Sequence, residues 1–227
     1  MRMRPWVLAV IATVAVATVV AVPLVLGRDS GSSTNGRPPG GVVSTPAPTS
    51  AATPGTSIHR VLPVDARGRL LRGYRVADSA RGRCFSASLL APGLFRCFRG
   101  NTILDPCWKQ AGRHDVLCLT EPWSHRLLRV RVTGKLPPPA RFPARWWALR
   151  AGGPVAGHCT AAMGAAGVVH GEPVTYLCAH GWVLLGDGPD RRTPTWSMVA
   201  ARHVHGGGYR VHGPVPLTVA WKAVAAP

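Results

Sequence analysis

The stretch Leu127-Leu-Arg-Val-Arg-Val-Thr133 alternates apolar and charged side chains from its second residue onward. Successive side chains of a β-strand point to opposite faces, so the aliphatic residues share one face while Arg129 and Arg131 share the other. This pattern predicts a half-buried strand with an arginine face.

Short apolar segments of the same kind recur along the chain, separated by Gly, Pro and Asp. They lie at 116–119, 146–149, 174–178, 182–185, 196–199 and 215–221. Many short strands separated by turn residues are typical of a mainly β domain, built from small antiparallel sheets or a barrel. A minor helical contribution is expected, and the Ala-rich stretch at 160–166 is the best candidate for a short helix.

Two parts of this region resemble each other, which suggests two related halves at about 80–135 and 145–221. Both follow the order Gly-x-Cys, aromatic-x-Cys-x-x-Gly, an apolar pair and Trp-Ser. The first copy has Gly82-Arg-Cys84, Phe95-Arg-Cys97 and Trp123-Ser124, and the second has Gly157-His-Cys159, Tyr176-Leu-Cys178 and Trp196-Ser197. An internal duplication explains this order, and chance similarity among Cys, Gly and Trp is the alternative. Four prolines in the segment 135–143 form a connector between the halves.

The N-terminal sequence predicts the cellular compartment of the protein. Residues 1–5 are a short basic segment, and residues 6–26 contain no charged side chain. As a helix this apolar run spans about 30 Å, enough to cross a bilayer. We expect a single-pass anchor in the cell membrane with the C-terminal domain extracytoplasmic, because the basic residues precede the run. The alternative is a cleaved signal peptide and a secreted protein.

The rest of the chain divides into a tether and a domain. Residues 27–60 are dominated by Gly, Pro, Ser and Thr and predict a disordered linker. Residues 61–227 then form the extracytoplasmic domain. Its first cysteine is Cys84, so no cysteine beside the apolar run could carry a lipid.

Six cysteines in an exported domain predict three disulfides, although six cysteines allow 15 different pairings. If the halves are duplicates, equivalent cysteines pair equivalently. This selects Cys84–Cys97 and Cys159–Cys178 and leaves Cys107–Cys118 as an additional bridge in the first half. The closest cysteines, Cys97 and Cys107, lie too far apart in sequence for a typical zinc motif.

Several of these segments also resemble a family of exported, membrane-anchored actinobacterial proteins with one cysteine-containing domain. The segments are the run from Cys97 to Trp108, Val116-Leu-Cys118, Pro122-Trp123, Trp147-Ala-Leu, Tyr176-Leu-Cys178 and Pro194-Thr-Trp196. The resemblance covers residues 80–221 and implies an anchor or signal, a low-complexity tether and disulfides. It implies no activity.

The charge of the chain indicates its class of partner. The 227 residues contain 27 Lys and Arg against 9 Asp and Glu, a formal net charge of +18. Residues 58–227 alone contain 20 Arg and 3 Lys against 8 acidic residues. Such a surface attracts anionic wall polymers and anionic lipid headgroups. Nucleic acid is not expected in this compartment. The alternative is that arginine-rich composition reflects a GC-rich genome and only keeps the domain soluble.

Five residues are the candidate binding residues of this surface: Trp146, Arg145, Arg150, Arg129 and Arg131. Trp146 and Trp147 are adjacent, so one should be buried while the other could be exposed beside arginines, as a platform for a glycan or polymer. The weak metal candidates are His203, His205 and His212, because the first two are two residues apart. No metal or other cofactor is expected.

These observations favour a non-catalytic envelope protein that binds acidic wall polymer, lipid headgroups or a protein partner. The chain contains no nucleophile elbow, His-Glu-x-x-His, phosphate-binding Gly loop or dinucleotide fingerprint, and it has few acidic residues. A secreted enzyme without a recognisable motif is one alternative, for which His203, His205 and Asp187 would be the first residues to mutate. A structural, partner-binding subunit is the other.

Overall fold

The computed structural model describes residues 55–138 and 144–227. The chain divides into two units, residues 1–49 and residues 50–227, and only the second contains described residues. The predicted anchor at 6–26 and most of the predicted tether lie outside the described residues. Within the described residues, no helix has the length and apolarity needed to span a membrane.

The described part of the chain is mainly β, as predicted. The first six strands are β1 (Ser57–Val61), β2 (Arg75–Ala87), β3 (Phe95–Arg99), β4 (Thr102–Lys109), β5 (Asp115–Cys118) and β6 (Arg126–Val132). The remaining seven are β7 (Ala148–Ala151), β8 (Gly157–Ala161), β9 (Val168–Val169), β10 (Glu172–Cys178), β11 (Trp182–Asp190), β12 (Trp196–His203) and β13 (Tyr209–Ala223). Each of the seven segments predicted from apolar composition contributes to one of these strands.

Strands β2 to β6 form a closed five-stranded barrel. Neighbours along the chain pair in antiparallel fashion, and β2 pairs in parallel with β6 to close the barrel. The 13-residue strand β2 joins the two ends of the sheet, because its first part pairs with β6 and its last part pairs with β3. Closure removes the unpaired strand edges that an open five-stranded sheet would expose.

The second half forms an eight-stranded sheet that also returns on itself. Strands β7, β8, β10, β11, β12 and β13 pair in that order, and β13 pairs again with β7. Strand β9 pairs with β10, and β1 pairs with β13, which completes the eight. Strand β13 is 15 residues long, so its end can contact β7 on one side and the parallel strand β1 on the other. Strand β1 therefore begins at Ser57, inside the segment assigned by sequence to the tether, because its backbone is paired with β13.

The three disulfides join Cys84 to Cys97, Cys107 to Cys118 and Cys159 to Cys178, which confirms the predicted pairing. In each bridge the two cysteines lie directly opposite one another on paired antiparallel strands. The first two bridges lie in the barrel interior with Val116 and Val130. In the third bridge, Cys159 belongs to the core of the second sheet and Cys178 packs against that core.

One hydrophobic core is shared by the two halves. From the barrel it includes Trp108 and Leu127, and from the second half it includes Trp147 and Trp221. The indole rings of Trp108 and Trp147 lie 6.2 Å apart. A second contact joins the halves where Trp123, in the loop before β6, stacks on His158 of β8 at 4.0 Å. The halves therefore bury apolar surface against each other.

The predicted helix at 160–166 is wrong. Residues up to Ala161 belong to β8 and pair with β10, since the disulfide at Cys159 holds the two strands in register. The residues that follow are too few, and too rich in glycine, to sustain a helix. The helical content of the described part is one 3₁₀ turn, Ala179–Gly181.

The sequence similarity between the two halves is only partly matched by similarity between their structures. The meander β2–β3–β4–β5–β6 has the same order of antiparallel neighbours as β8–β10–β11–β12–β13, with a disulfide between the first two strands of each. The Trp-Ser pairs, however, do not occupy equivalent places. Trp123 lies in the loop between β5 and β6, whereas Trp196 begins β12.

Candidate functional site

The five candidate binding residues lie in three separate places. Arg145 and Trp146 line a cleft, Arg150 is exposed on β7, and Arg129 and Arg131 lie on β6 of the barrel. The structure therefore does not bring them together as one surface. It places two of them in a cleft, two on an arginine-rich barrel wall, and Arg150 apart from both.

The cleft has a volume of about 530 Å³ and is lined by both halves of the fold. The barrel contributes Leu89 and Leu90, from the loop between β2 and β3. The second half contributes Trp146 and Tyr176 as aromatic residues. Its charged lining residues are Arg145, Arg191 and Asp187, and all three are exposed. Asp187 thus lines the same cleft as two of the predicted binding residues, Arg145 and Trp146.

Hydrogen bonds hold the backbone of the cleft wall. The Tyr176 hydroxyl, on a side chain that is 2% exposed, donates to the Trp146 carbonyl oxygen at 3.0 Å. Burial raises the pKa of Tyr176 far above its usual value, so the hydroxyl keeps the proton that it donates. The Arg145 amide donates to the Leu90 carbonyl at 3.1 Å and ties this wall to the barrel loop.

Cations also surround a pair of tryptophans beside the cleft. The rings of Trp146 and Trp196 meet edge to face with centroids 4.9 Å apart. The Arg191 guanidinium lies 5.7 Å from the Trp196 ring, and the Lys222 ammonium lies 6.0 Å from the Trp146 ring. The ring faces attract these cations, and of the two, Arg191 also lines the cleft.

A buried polar network supports the barrel loop that lines the cleft. Asp105, which is 5% exposed, accepts hydrogen bonds from the Ser88 hydroxyl and from the Leu89 amide at 3.0 Å. The Ser88 oxygen accepts in turn from the Leu90 amide at 3.0 Å. Burial raises the pKa of Asp105 to about 6, although these hydrogen bonds and Arg96 favour the charged form.

We expect the stability of the domain to depend on pH through Asp105. The raised pKa means that the folded state holds the proton more tightly than the unfolded chain, in which the pKa is near 4. The contribution of this carboxyl to stability is therefore fully present below pH 4 and is lost as the pH rises through 6. The loss amounts to about 3 kcal/mol.

The variant Asp105→Asn, which is neutral at every pH, isolates this effect. Its free energy of urea unfolding relative to the native protein should rise by about 3 kcal/mol between pH 4 and pH 7. Taking the difference between the two proteins cancels other titrating groups, His158 included. Asp187→Asn, at an exposed carboxylate, is the matched control. A difference that stays constant with pH would contradict the assignment.

The barrel wall presents a second group of cations. Arg81 on β2 and Arg131 on β6 lie directly side by side in the parallel register, and both are exposed. Arg83 follows on the same face of β2, and its guanidinium lies 4.8 Å from the ring of Phe85. Phe85 is 57% exposed and contacts Phe98 at 5.3 Å. We call Arg81, Arg83, Phe85 and Arg131 the basic strip.

Arg129 does not belong to this exposed strip. The arginine face predicted for β6 also contains Leu127, which is buried in the core shared by the two halves. Arg129, two residues further on, is half-buried at the margin of that core, and its Nε atom is buried without a hydrogen-bond partner. Only Arg131, at the far end of the strand, is exposed.

The three candidate metal ligands do not form a cluster. The His203 ring contacts Tyr209 at 5.4 Å, the His212 ring contacts Trp182 at 4.6 Å, and His205 lies in an exposed turn. In residues 55–138 and 144–227, one group of three potential ligands lies within 4.8 Å, namely Cys97, Cys107 and Cys118. Their sulfurs are already joined in disulfides, so they offer no thiolate to a metal.

Sequence reasoning missed Arg81, Arg83 and Phe85 on the barrel and Arg191 in the cleft. A signal for the first three is present, since Arg81-Gly-Arg83-Cys-Phe85 alternates with the same period of two as the segment at 127–133. Arg191 carries no such signal, because its place beside Trp196 results from the turn between β11 and β12.

Comparison of the chain with protein-family models, with curated proteins and with solved structures found no match.

Proposed function

We propose that the protein is a non-catalytic module of the cell envelope that binds an acidic wall polymer through the basic strip of its five-stranded barrel. The three disulfides support an oxidising compartment outside the cytoplasm. The observation that carries the proposal is the side-by-side placement of Arg81 and Arg131, both exposed.

Like charges placed opposite one another on neighbouring strands cost stability unless an anion offsets their repulsion. The described part of the chain contains three ion pairs: Asp65–Arg69, Asp78–Arg99 and Asp190–Arg192. No arginine of the basic strip takes part in any of them. Asp115 of β5 lies opposite Arg131 in the strand register but forms no ion pair with it. The charges of the strip are therefore available to an external anion.

The spacing of these cations suits a polymer with regularly repeated charges. Neighbouring strands lie about 4.8 Å apart, so Arg81 and Arg131 are separated by about this distance at the backbone. Arg81 and Arg83 are two residues apart along β2, a distance of about 7 Å. The exposed ring of Phe85 adds an apolar surface on which the uncharged part of a repeating unit can pack.

A catalytic function has less support. Of His203, His205 and Asp187, the residues that the sequence suggests for an enzyme, only Asp187 lines the cleft. His203 lies at the end of β12 and His205 in the turn that follows. The acids of the described chain are few, and the buried one, Asp105, is engaged by Ser88 and Leu89.

The test is binding of the full-length protein, in an uncharged detergent, to soluble poly(glycerol phosphate) as a function of salt. We expect the double variant Arg81→Gln/Arg131→Gln to weaken binding at low salt at least tenfold. The slope of log affinity against log salt should fall by about two, because two cation–phosphate contacts are lost.

The matched control is Arg72→Gln/Arg210→Gln, which removes two exposed arginines elsewhere and gives the same net charge. It should change affinity less than threefold. Equal weakening by both double variants would show that net charge alone binds the polymer, and the proposal would be wrong. Binding to phosphatidylglycerol vesicles but not to the polymer would replace wall polymer with lipid headgroups as the partner.

A further inference from the structure

We propose that the cleft between the two halves is a second binding site, which takes a single sugar unit bearing a phosphate or carboxylate group. The cleft is separate from the basic strip, and no residue of the strip lines it. The inference is therefore independent of the proposed polymer binding.

The charged residues of the cleft define the ionic part of this ligand. Two guanidinium groups, Arg145 and Arg191, line the cleft together with one carboxylate, Asp187. None of the three belongs to an ion pair of the described chain. Guanidinium groups bind phosphate and carboxylate through paired hydrogen bonds, so the excess positive charge selects an anionic group. Asp187 can only accept hydrogen bonds when ionised, which suits hydroxyl groups on the same ligand.

The remaining lining is suited to a sugar ring. Trp146 and Met163, both half-buried, provide the accessible apolar surface of the cleft, while Tyr176 and Leu90 are almost completely buried in its wall. Sugar rings have apolar faces that pack on aromatic side chains while their hydroxyl groups remain hydrogen bonded. A volume of about 530 Å³ lies within the range of small-molecule sites and is too small for a folded partner.

The walls of the cleft are already held in place without a ligand. The hydrogen bond from Tyr176 fixes the Trp146 carbonyl, and the Ala162 amide donates to the Thr175 carbonyl at 2.8 Å. The Arg96 side chain, from barrel strand β3, donates to the Met163 carbonyl and holds the opposite loop. A preorganised wall loses little conformational entropy on binding, which favours a specific small ligand over a non-specific one.

The experiment is calorimetric titration of the full-length protein with glucose 6-phosphate and with glucuronate. Glucose and inorganic phosphate are the comparison ligands, because each has only half of the proposed chemistry. We expect both acidic sugars to bind at least tenfold more tightly than glucose or phosphate. Arg145→Gln/Arg191→Gln should weaken their binding at least tenfold, and Trp146→Leu should weaken it several-fold.

The double variant Arg72→Gln/Arg210→Gln again controls for the loss of two charges, and circular dichroism verifies that each variant is folded. Absence of saturable binding by either acidic sugar would overturn the inference. So would equal binding of inorganic phosphate, or binding unaffected by the Arg145/Arg191 substitutions.

A further experiment distinguishes a free sugar from a sugar at the end of a polymer chain. It measures binding of poly(glycerol phosphate) that carries terminal sugar phosphates. Weaker polymer binding by Arg145→Gln/Arg191→Gln would indicate a chain end in the cleft, and unchanged polymer binding would indicate a free sugar. Arg81→Gln/Arg131→Gln should leave the titrations with glucose 6-phosphate unchanged. The polymer experiment therefore tests the basic strip and the sugar titrations test the cleft, so either proposal can fail without the other.

Discussion

Replacement of all six cysteines by serine is expected to leave the domain unfolded at 37 °C. The three bridges close loops with sequence separations of 13, 11 and 19 residues that follow one another along the chain without overlapping. Each closure contributes about 3 kcal/mol in the loop-entropy model, and because the loops are independent the contributions add to about 9 kcal/mol. A domain of this size has a total stability of about 5–15 kcal/mol.

The measurement is far-UV circular dichroism of the six-serine variant against the native protein, followed by urea unfolding. The three single-bridge variants, such as Cys107→Ser/Cys118→Ser, are the controls. Each should remain folded and lose about 3 kcal/mol of unfolding free energy. A six-serine variant that retains the native spectrum, with less than 3 kcal/mol lost in total, would contradict this account of the bridges.

Substitution Trp108→Ala is expected to lower the free energy of unfolding by about 3–5 kcal/mol, the usual cost of deleting a fully buried indole. Trp108 is 1% exposed and lies in the core that both halves share. Its indole N–H donates to the Val224 carbonyl at 2.8 Å, so the variant also leaves a backbone acceptor without its partner. The loss should loosen the C-terminal residues that follow β13.

Urea unfolding followed by both fluorescence and circular dichroism measures the effect. Trp108→Phe is the matched control, because it keeps a six-membered ring in the core while it removes the hydrogen bond and a smaller part of the buried volume. It should cost about 1–2 kcal/mol. Since the core is shared, both variants should unfold in one transition. Two separate transitions in the native protein would show that the halves are stable independently and that their shared core does not couple them.

The local elements of this fold were predictable from sequence because they depend on local chemistry. Alternation with a period of two identified β6, and short apolar runs between turn residues identified six other strands. The repeated Gly-x-Cys and aromatic-x-Cys segments predicted the disulfide pairing, since cysteines in equivalent strands face equivalent partners. The stretch at 160–166 was the exception. Its alanines favour a helix, but pairing of β8 with β10 overrides that preference.

The candidate sites were predicted less well because they depend on contacts between residues distant in sequence. Arg145 and Trp146 are adjacent in sequence and both line the cleft. By contrast, Asp187, in the last part of β11, and Arg191, in the turn after it, reach the same cleft only through the fold. Arg129 and Arg131 share one face of β6, yet the shared core covers one end of that face and leaves only Arg131 exposed. A single strand pattern contains no information about which half of the protein will pack against it.

The sequence by itself determined the mainly β class, the position of seven of the thirteen described strands and the excess of positive charge, and its internal similarity predicted the disulfide pairs. These follow from side-chain alternation, turn residues, cysteine order and composition, all of which are local or additive properties. Only the tertiary structure decided that β2 closes a barrel with β6, that the two halves share one core, and that arginines from different strands meet. Those outcomes depend on long-range pairing, in which burial of apolar surface selects one arrangement among many that satisfy the same local pattern.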